Sequence, residues 1–147
     1  MREIKYKAWH KKDKKMYDVA CLEWAHHYSS EFTYIGFHVN IIRKGTLDKP
    51  NSLYFEWVAE NEVIVLLYTG LKDKNEKEIY EGDIVNRHLG HPPRVITWTP
   101  EGRYLGWYSS RLESQQTKNI MDHLPLGQDE EIEIIGNIYE NPELLKP

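Results

Sequence analysis

Apolar and polar positions alternate from the start of the chain: Ile4, Tyr6 and Ala8 share one parity, Glu3, Lys5 and Lys7 the other. A period of two predicts a half-buried β-strand. The polar run Lys11–Lys15 predicts a turn and Met16–Leu22 a return strand, so the fold opens on a β-hairpin. From Trp24 to Phe37 the aromatic residues follow neither the helical nor the strand period, and Ser29-Ser30 interrupts them. Alternation resumes over Phe37–Ile41. Lys44–Asn51, with its Gly, Asp, Pro and Asn, predicts a loop. Leu53–Val58 fits a short strand and a helical turn equally well.

Val63–Tyr68 is a continuous aliphatic run, the pattern of a strand covered on both faces. Gly70–Lys77 predicts a loop with an Asp/Asn-centred turn. In Glu81-Gly82-Asp83-Ile84-Val85 the glycine permits a sharp corner, the aspartate can bind nearby backbone N–H groups, and a strand follows. His88–Pro93 is a loop, since Pro92-Pro93 excludes helix. Val95–Thr99 and Tyr104–Tyr108, joined by Pro100–Arg103, predict a tight antiparallel hairpin. Ser109–Asp122 is polar and carries no helical stripe. Ile132, Ile134 and Ile135 lead into Gly136–Tyr139 as a closing strand. Asn141-Pro142-Glu143 has the N-cap and first-position signals of a short terminal helix.

Short strands at this spacing predict a mainly β chain with a small barrel over about residues 62–140, SH3-like in preference to an OB-fold. Residues 1–60 form an N-terminal β extension, and residues 1–147 make one domain. No internal repeat is visible in the sequence.

Composition adds compartment and surface. At 40% hydrophobic and 29% charged residues the chain is too apolar to be disordered. Five Trp and ten Tyr against three Phe favour aromatics with a polar tip, suited to thin β structure and to binding surfaces. The single cysteine, Cys21, excludes an intrachain disulfide, and the N-terminus is charged from Arg2 onward, so a reducing cytoplasm is expected. The longest apolar run, Val63–Leu67, is far short of the roughly 20 residues of a membrane helix, so no membrane partner is expected. Net charge is −4, yet Met1–Met16 carries seven Lys/Arg against Glu3 and Asp13, a local +5, while Asp129–Pro147 carries −5. The basic segment is the only place a nucleic acid would bind. The alternative is that the two ends are solvated faces that attract one another weakly.

Candidate chemistry is sparse. His26, His27, His38, His88 and His91 with Cys21 suggest a metal, but one cysteine and no second ligand pair near His88/His91 predict no metal and no cofactor. Glu81/Asp83 fits a corner and Glu130/Glu131 a solvated strand edge better than acid–base machinery. Ser109-Ser110 lacks a nucleophile elbow, and no glycine-rich phosphate loop occurs. A non-enzymatic protein is therefore expected ahead of an enzyme whose site is assembled from scattered polar residues. Trp98, Arg103, Tyr104 and Trp107, with Arg94, Tyr108 and Arg111 nearby, form the one constellation with binding character, because aromatic faces beside arginines grip peptides or stack bases. A protein partner is expected ahead of nucleic acid, given the net charge.

Three segments carry a family likeness: Arg2–Trp9 with Lys15-Met16 behind it, Tyr68–Val85, and Ile134–Leu145. Together they resemble the YopX-like proteins of bacteriophages and prophages. The resemblance implies an SH3-like core, a mobile-element origin in a bacterial host cell, and no established activity, hence no catalytic residues to transfer. Two positions depart from the family pattern. His10 stands where Asp is usual, and Glu76 where Gly usually follows Asn75. An Asn-Gly turn wants left-handed backbone at both residues, so Glu76 must change the turn type or cost on the order of 1 kcal/mol.

Overall fold

A computed structural model describes residues 3–28, 33–46, 49–87, 92–99, 106–110, 123–125 and 131–145. Among them run strands β1 (Tyr6–His10), β2 (Lys15–Tyr28), β3 (Thr33–Thr46), β4 (Lys49–Ala59), β5 (Val63–Lys72), β6 (Glu78–Tyr80), β7 (Asp83–Asn86), β8 (Arg94–Thr99), β9 (Gly106–Ser110), β10 (His123–Pro125) and β11 (Glu133–Asn137). Single 3-10 turns cover Glu60–Glu62 and Pro142–Leu145, and the described residues contain no α-helix. The chain divides into two compact units, Lys5–Leu66 and Leu67–Pro147, the second including Met1–Ile4.

In the first unit β1 to β4 form an antiparallel meander, and β5 returns beside β1, giving the order β4-β3-β2-β1-β5. Ala8, Val39, Ile41, Val58 and Val63 are its buried core, with Tyr17, Val19, Leu22 and Val65 packed against them. The predicted hairpin is present, and it is the beginning of a larger sheet. Leu53–Val58 is strand, and the described residues of the segment that fitted neither period, 24–28 and 33–37, belong to β2 and β3, each of 14 residues. The reason lies in the pairing. The register shifts between Val19 and Cys21, leaving Ala20 as an extra residue. A bulge reverses which parity faces the core, so Tyr17 and Val19 point inward before it and Leu22 after it, and no single period runs through the strand. A second shift sets Gly45, between Lys44 and Thr46, against residues 50–52, between Lys49 and Leu53, so the extra residues lie on β4 where a loop was expected.

In the second unit the later half of β5 pairs with β6, Tyr68 opposite Tyr80 and Lys72 opposite Glu78. The other sheet has the order β10-β9-β8-β7-β11. Ile79, Val85, Ile96 and Ile132 form the core, flanked by Leu67, Leu71 and Ile134. The expected hairpin pairs antiparallel from Val95/Ser110 to Thr99/Gly106; Pro100–Leu105, which includes the predicted turn, lies outside the described residues. The expectation of a closed barrel is corrected: among the described residues the sheet is open, with β10 and β11 at its two edges. Closure demands strands long enough to tilt and stagger around an axis, and these have three to six residues. The two units share one plan: four strands meander and the fifth returns beside the first.

Candidate binding face

The β8–β9 hairpin carries the residues singled out from sequence. Val95 and Ile96 are adjacent, point to opposite faces and are both buried, so the middle of β8 is covered on both sides. Two residues on, Trp98 is 43% exposed. Its Cα partner across the hairpin is Trp107. Arg103 and Tyr104 lie outside the described residues, as do Arg111, His88 and His91. The structure thus pairs the backbones of Trp98 and Trp107 and describes the exposure of one.

Beside this face two arginines turn toward a single serine. Ser109 is fully buried opposite Ile96. Arg87 Nη1 donates to its Oγ at 2.7 Å, and Arg94 Nη1 to its carbonyl oxygen at 3.3 Å. Burial, and after it the positive charge of Arg94, pushes the Arg87 guanidinium below its ordinary pKa. Arg94 therefore helps to fix β8 against β9, a role that pattern reading had not separated from the aromatic face.

Sequence reasoning missed a second polar group, in the first unit. Arg43 Nη1 donates to Asp13 Oδ2 at 2.6 Å and to the Tyr17 hydroxyl at 2.8 Å, Tyr17 donates to Asp13 Oδ2 at 2.9 Å, and Arg43 Nε meets Glu56. The guanidinium also stacks over the Tyr17 ring, 4.7 Å from its centroid. The Arg43 hydrogen bond, opposed by burial and aided by Tyr17, holds the Asp13 carboxyl below its ordinary range. One cation between two carboxylates is a closed ionic group that ties the β1–β2 turn to β3 and β4, rather than a reactive centre. Only the bulged sheet brings residues 13, 17, 43 and 56 together, so no local spacing announced it. Among the described residues no group of three or more His, Cys, Asp or Glu could hold a metal ion.

With the geometry in place, comparison with known proteins is informative. A profile described as YopX protein matches residues 5–146. The chain belongs to the YopX family. It is also similar to the crystal structure of protein EF1440 from Enterococcus faecalis, at 23% identity over 99% of this chain and 100% of that one, with a TM-score of 0.57, which establishes likeness of fold. No curated protein matches.

The YopX motifs have structural work throughout. In Tyr68–Val85, Asp73 accepts from the backbone N–H groups of Asn75, Lys77 and Ile134. Asp83 accepts from Tyr80 N at 2.8 Å and from Asn137 Nδ2 at 3.1 Å, while Gly82, at φ +80°, exchanges backbone bonds with Ile96 and Ile138. The middle and final motifs of the family are thus stitched to each other. The terminal helix signal is reassigned: Asn141 Oδ1 accepts from Asn137 N instead of capping its own turn, and the turn is 3-10. Burial raises the Glu81 carboxyl, and burial together with Glu81 raises the Tyr139 hydroxyl. Asp83, the other half of that acid pair, is a corner lock.

Proposed function

We propose that this YopX protein is a non-enzymatic interaction module that binds a protein partner through the β8–β9 hairpin. The observation that carries the proposal is the exposure of Trp98 beside the fully buried Val95 and Ile96. A large aromatic left to solvent at the margin of a rigid sheet is a preformed anchor of low entropic cost. Trp107, Arg103 and Tyr104 complete the proposed face. The order β10-β9-β8-β7-β11, a meander whose last strand returns to its first, supports an opened SH3-like kinship for this sheet. The family match spans both units, which supports treating them as one YopX domain. A phage or prophage origin and a reducing bacterial cytoplasm belong to the same proposal, supported by the free, exposed thiol of Cys21.

The test is selection of binding peptides from a displayed random library against the full chain, followed by titration against Trp98→Ala. Peptides that bind the native chain and lose tenfold or more with the variant, at unchanged melting temperature, support the face. Peptides indifferent to Trp98 overturn it.

A further inference from the structure

Among the described residues, the four outer strands of the two sheets differ in how they are protected. β6 and β10 have three residues each, β10 ends on Pro125, and β11 has five residues and a register shift. Short length, proline and bulges are the ordinary means by which sheet edges avoid pairing with other chains. β4 is different: it has 11 residues, paired along one side to β3. Between Asn51 and Phe55 it carries no charge. Its alternate positions Leu53, Phe55 and Trp57 are 60%, 63% and 49% exposed, while Val58, on the opposite parity, sits in the core. An edge therefore coincides with an apolar row.

We infer that the occupant of this edge is a second copy of the chain, its β4 pairing antiparallel with the first about a twofold axis at Phe55. The inference concerns a different sheet from the Trp98 face and does not depend on it. Self-pairing is favoured because the strand is complementary to itself in one register. With Phe55 opposite Phe55 of the other copy, Leu53 faces Trp57 and Trp57 faces Leu53, giving a continuous row of cross-strand apolar pairs. Glu56 then faces Tyr54, and it stays with Arg43 in its own chain. Centring on Glu56 would set two carboxylates against each other, and centring on Tyr54 would put Trp57 opposite Asn51, so those registers are disfavoured. Leu53, Tyr54, Phe55 and Trp57 leave on the order of 500 Å² of side-chain surface open. Pairing in the plane of the sheet covers the outward backbone groups and the flanks of these side chains, so each copy buries part of that surface, at the low end of specific interfaces. A symmetric pair of identical edges also closes on itself, which avoids open-ended assembly.

The register makes the test specific. Directly opposed residues have Cα atoms about 5 Å apart, within the roughly 4.4–6.8 Å span of a disulfide. In a Cys21→Ser background, Phe55→Cys is expected to oxidise to a cross-linked dimer. Leu53→Cys alone is not, since its two copies lie roughly 14 Å apart along the strands, whereas an equimolar mixture of Leu53→Cys and Trp57→Cys is. Light scattering of the full chain should show a dimer that Phe55→Lys converts to monomer with the circular dichroism spectrum retained. A monomer at every concentration up to about 100 μM, or cross-linking at position 53 alone but not at 55, overturns the inference. Should Phe55→Lys fail to fold, the cysteine pattern decides by itself.

Discussion

At the scale of single residues, the two departures from the YopX pattern turn out to be local substitutions of one device for another. His10 replaces the usual Asp, and its Nδ1 accepts from the Asp13 backbone N–H at 3.1 Å. A ring nitrogen thus does what a short carboxylate oxygen does in such a turn. Glu76 replaces the usual Gly and takes the left-handed backbone, φ 63°, while Asn75 does not. Glu76 N donates to Asp73 O, so the turn is a type I turn closed by one left-handed residue, not a turn with two. Glu76→Gly is therefore expected to stabilise the chain by about 1 kcal/mol, measured as a higher urea midpoint at unchanged slope; an unchanged or lower midpoint would show that the Lys72–Glu76 ion pair outweighs the backbone strain. Asp73 permits a pH test. Burial alone would raise its carboxyl, but the N–H groups of Lys77, Ile134 and Asn75 outweigh burial and hold it below its ordinary value of 3.8. A depressed native pKa gives stability that is complete above the unfolded value and lost as pH falls through the native one. Asp73→Asn should cost about 1–3 kcal/mol near neutrality, because the amide keeps one acceptor oxygen and its N–H₂, in place of the other, cannot accept from Ile134 N–H, and the gap to the native chain should close progressively below pH 3.8. Equal losses at pH 7 and pH 2 would contradict this.

At the scale of elements, what was legible followed from how local each signal was. The β1–β2 hairpin, the Gly82 corner, the pairing of Val95–Thr99 with the strand after it, and the closing strand all rest on short-range pattern and turn chemistry. Each was read from sequence, and each is in the structure. The bulges at Ala20 and at residues 50–52 were not legible, since a bulge is defined by the partner strand's register and not by its own residues. β4 was ambiguous for a related reason: Leu53, Phe55 and Trp57 are apolar on its outer face, so the alternation that marks an ordinary surface strand is absent. At the candidate face Trp98 is exposed and Arg94 is engaged with Ser109. Gly136 illustrates a constraint of packing that conformation does not reveal. Its backbone is ordinary, but a Cβ there would lie 2.7 Å from Leu144 Cδ1 and 2.8 Å from Asn141 Oδ1. Gly136→Ala is expected to destabilise by about 1–3 kcal/mol, the usual cost of overpacking, read from thermal or urea unfolding. A neutral result would mean that the Pro142–Leu145 turn shifts away without loss.

At the scale of the whole molecule, charge and topology matter most. Two lysines of the β1–β2 turn are engaged nearby: Lys11 Nζ donates to Asn61 O at 2.8 Å and Lys15 lies over the Tyr17 ring. With a net charge of −4, binding of generic DNA is expected to be negligible at physiological salt and to fall steeply with salt wherever it is seen. Fluorescence anisotropy across a salt series, beside a Lys11→Glu/Lys12→Glu/Lys14→Glu/Lys15→Glu variant, checks this. Sub-micromolar affinity that survives physiological salt and vanishes in the variant would place nucleic acid above protein as the partner.

The strand plan that occurs twice has a consequence for how each sheet is closed. In each, three of the four pairings of the plan join strands that follow one another in the chain, and the fourth joins the first strand to the fifth, β1 to β5 and β7 to β11. Consecutive strands close short loops, whereas the returning strand closes the whole plan at once and bears the larger loss of chain entropy. The returning strand of each sheet is therefore the one whose pairing costs the most chain entropy.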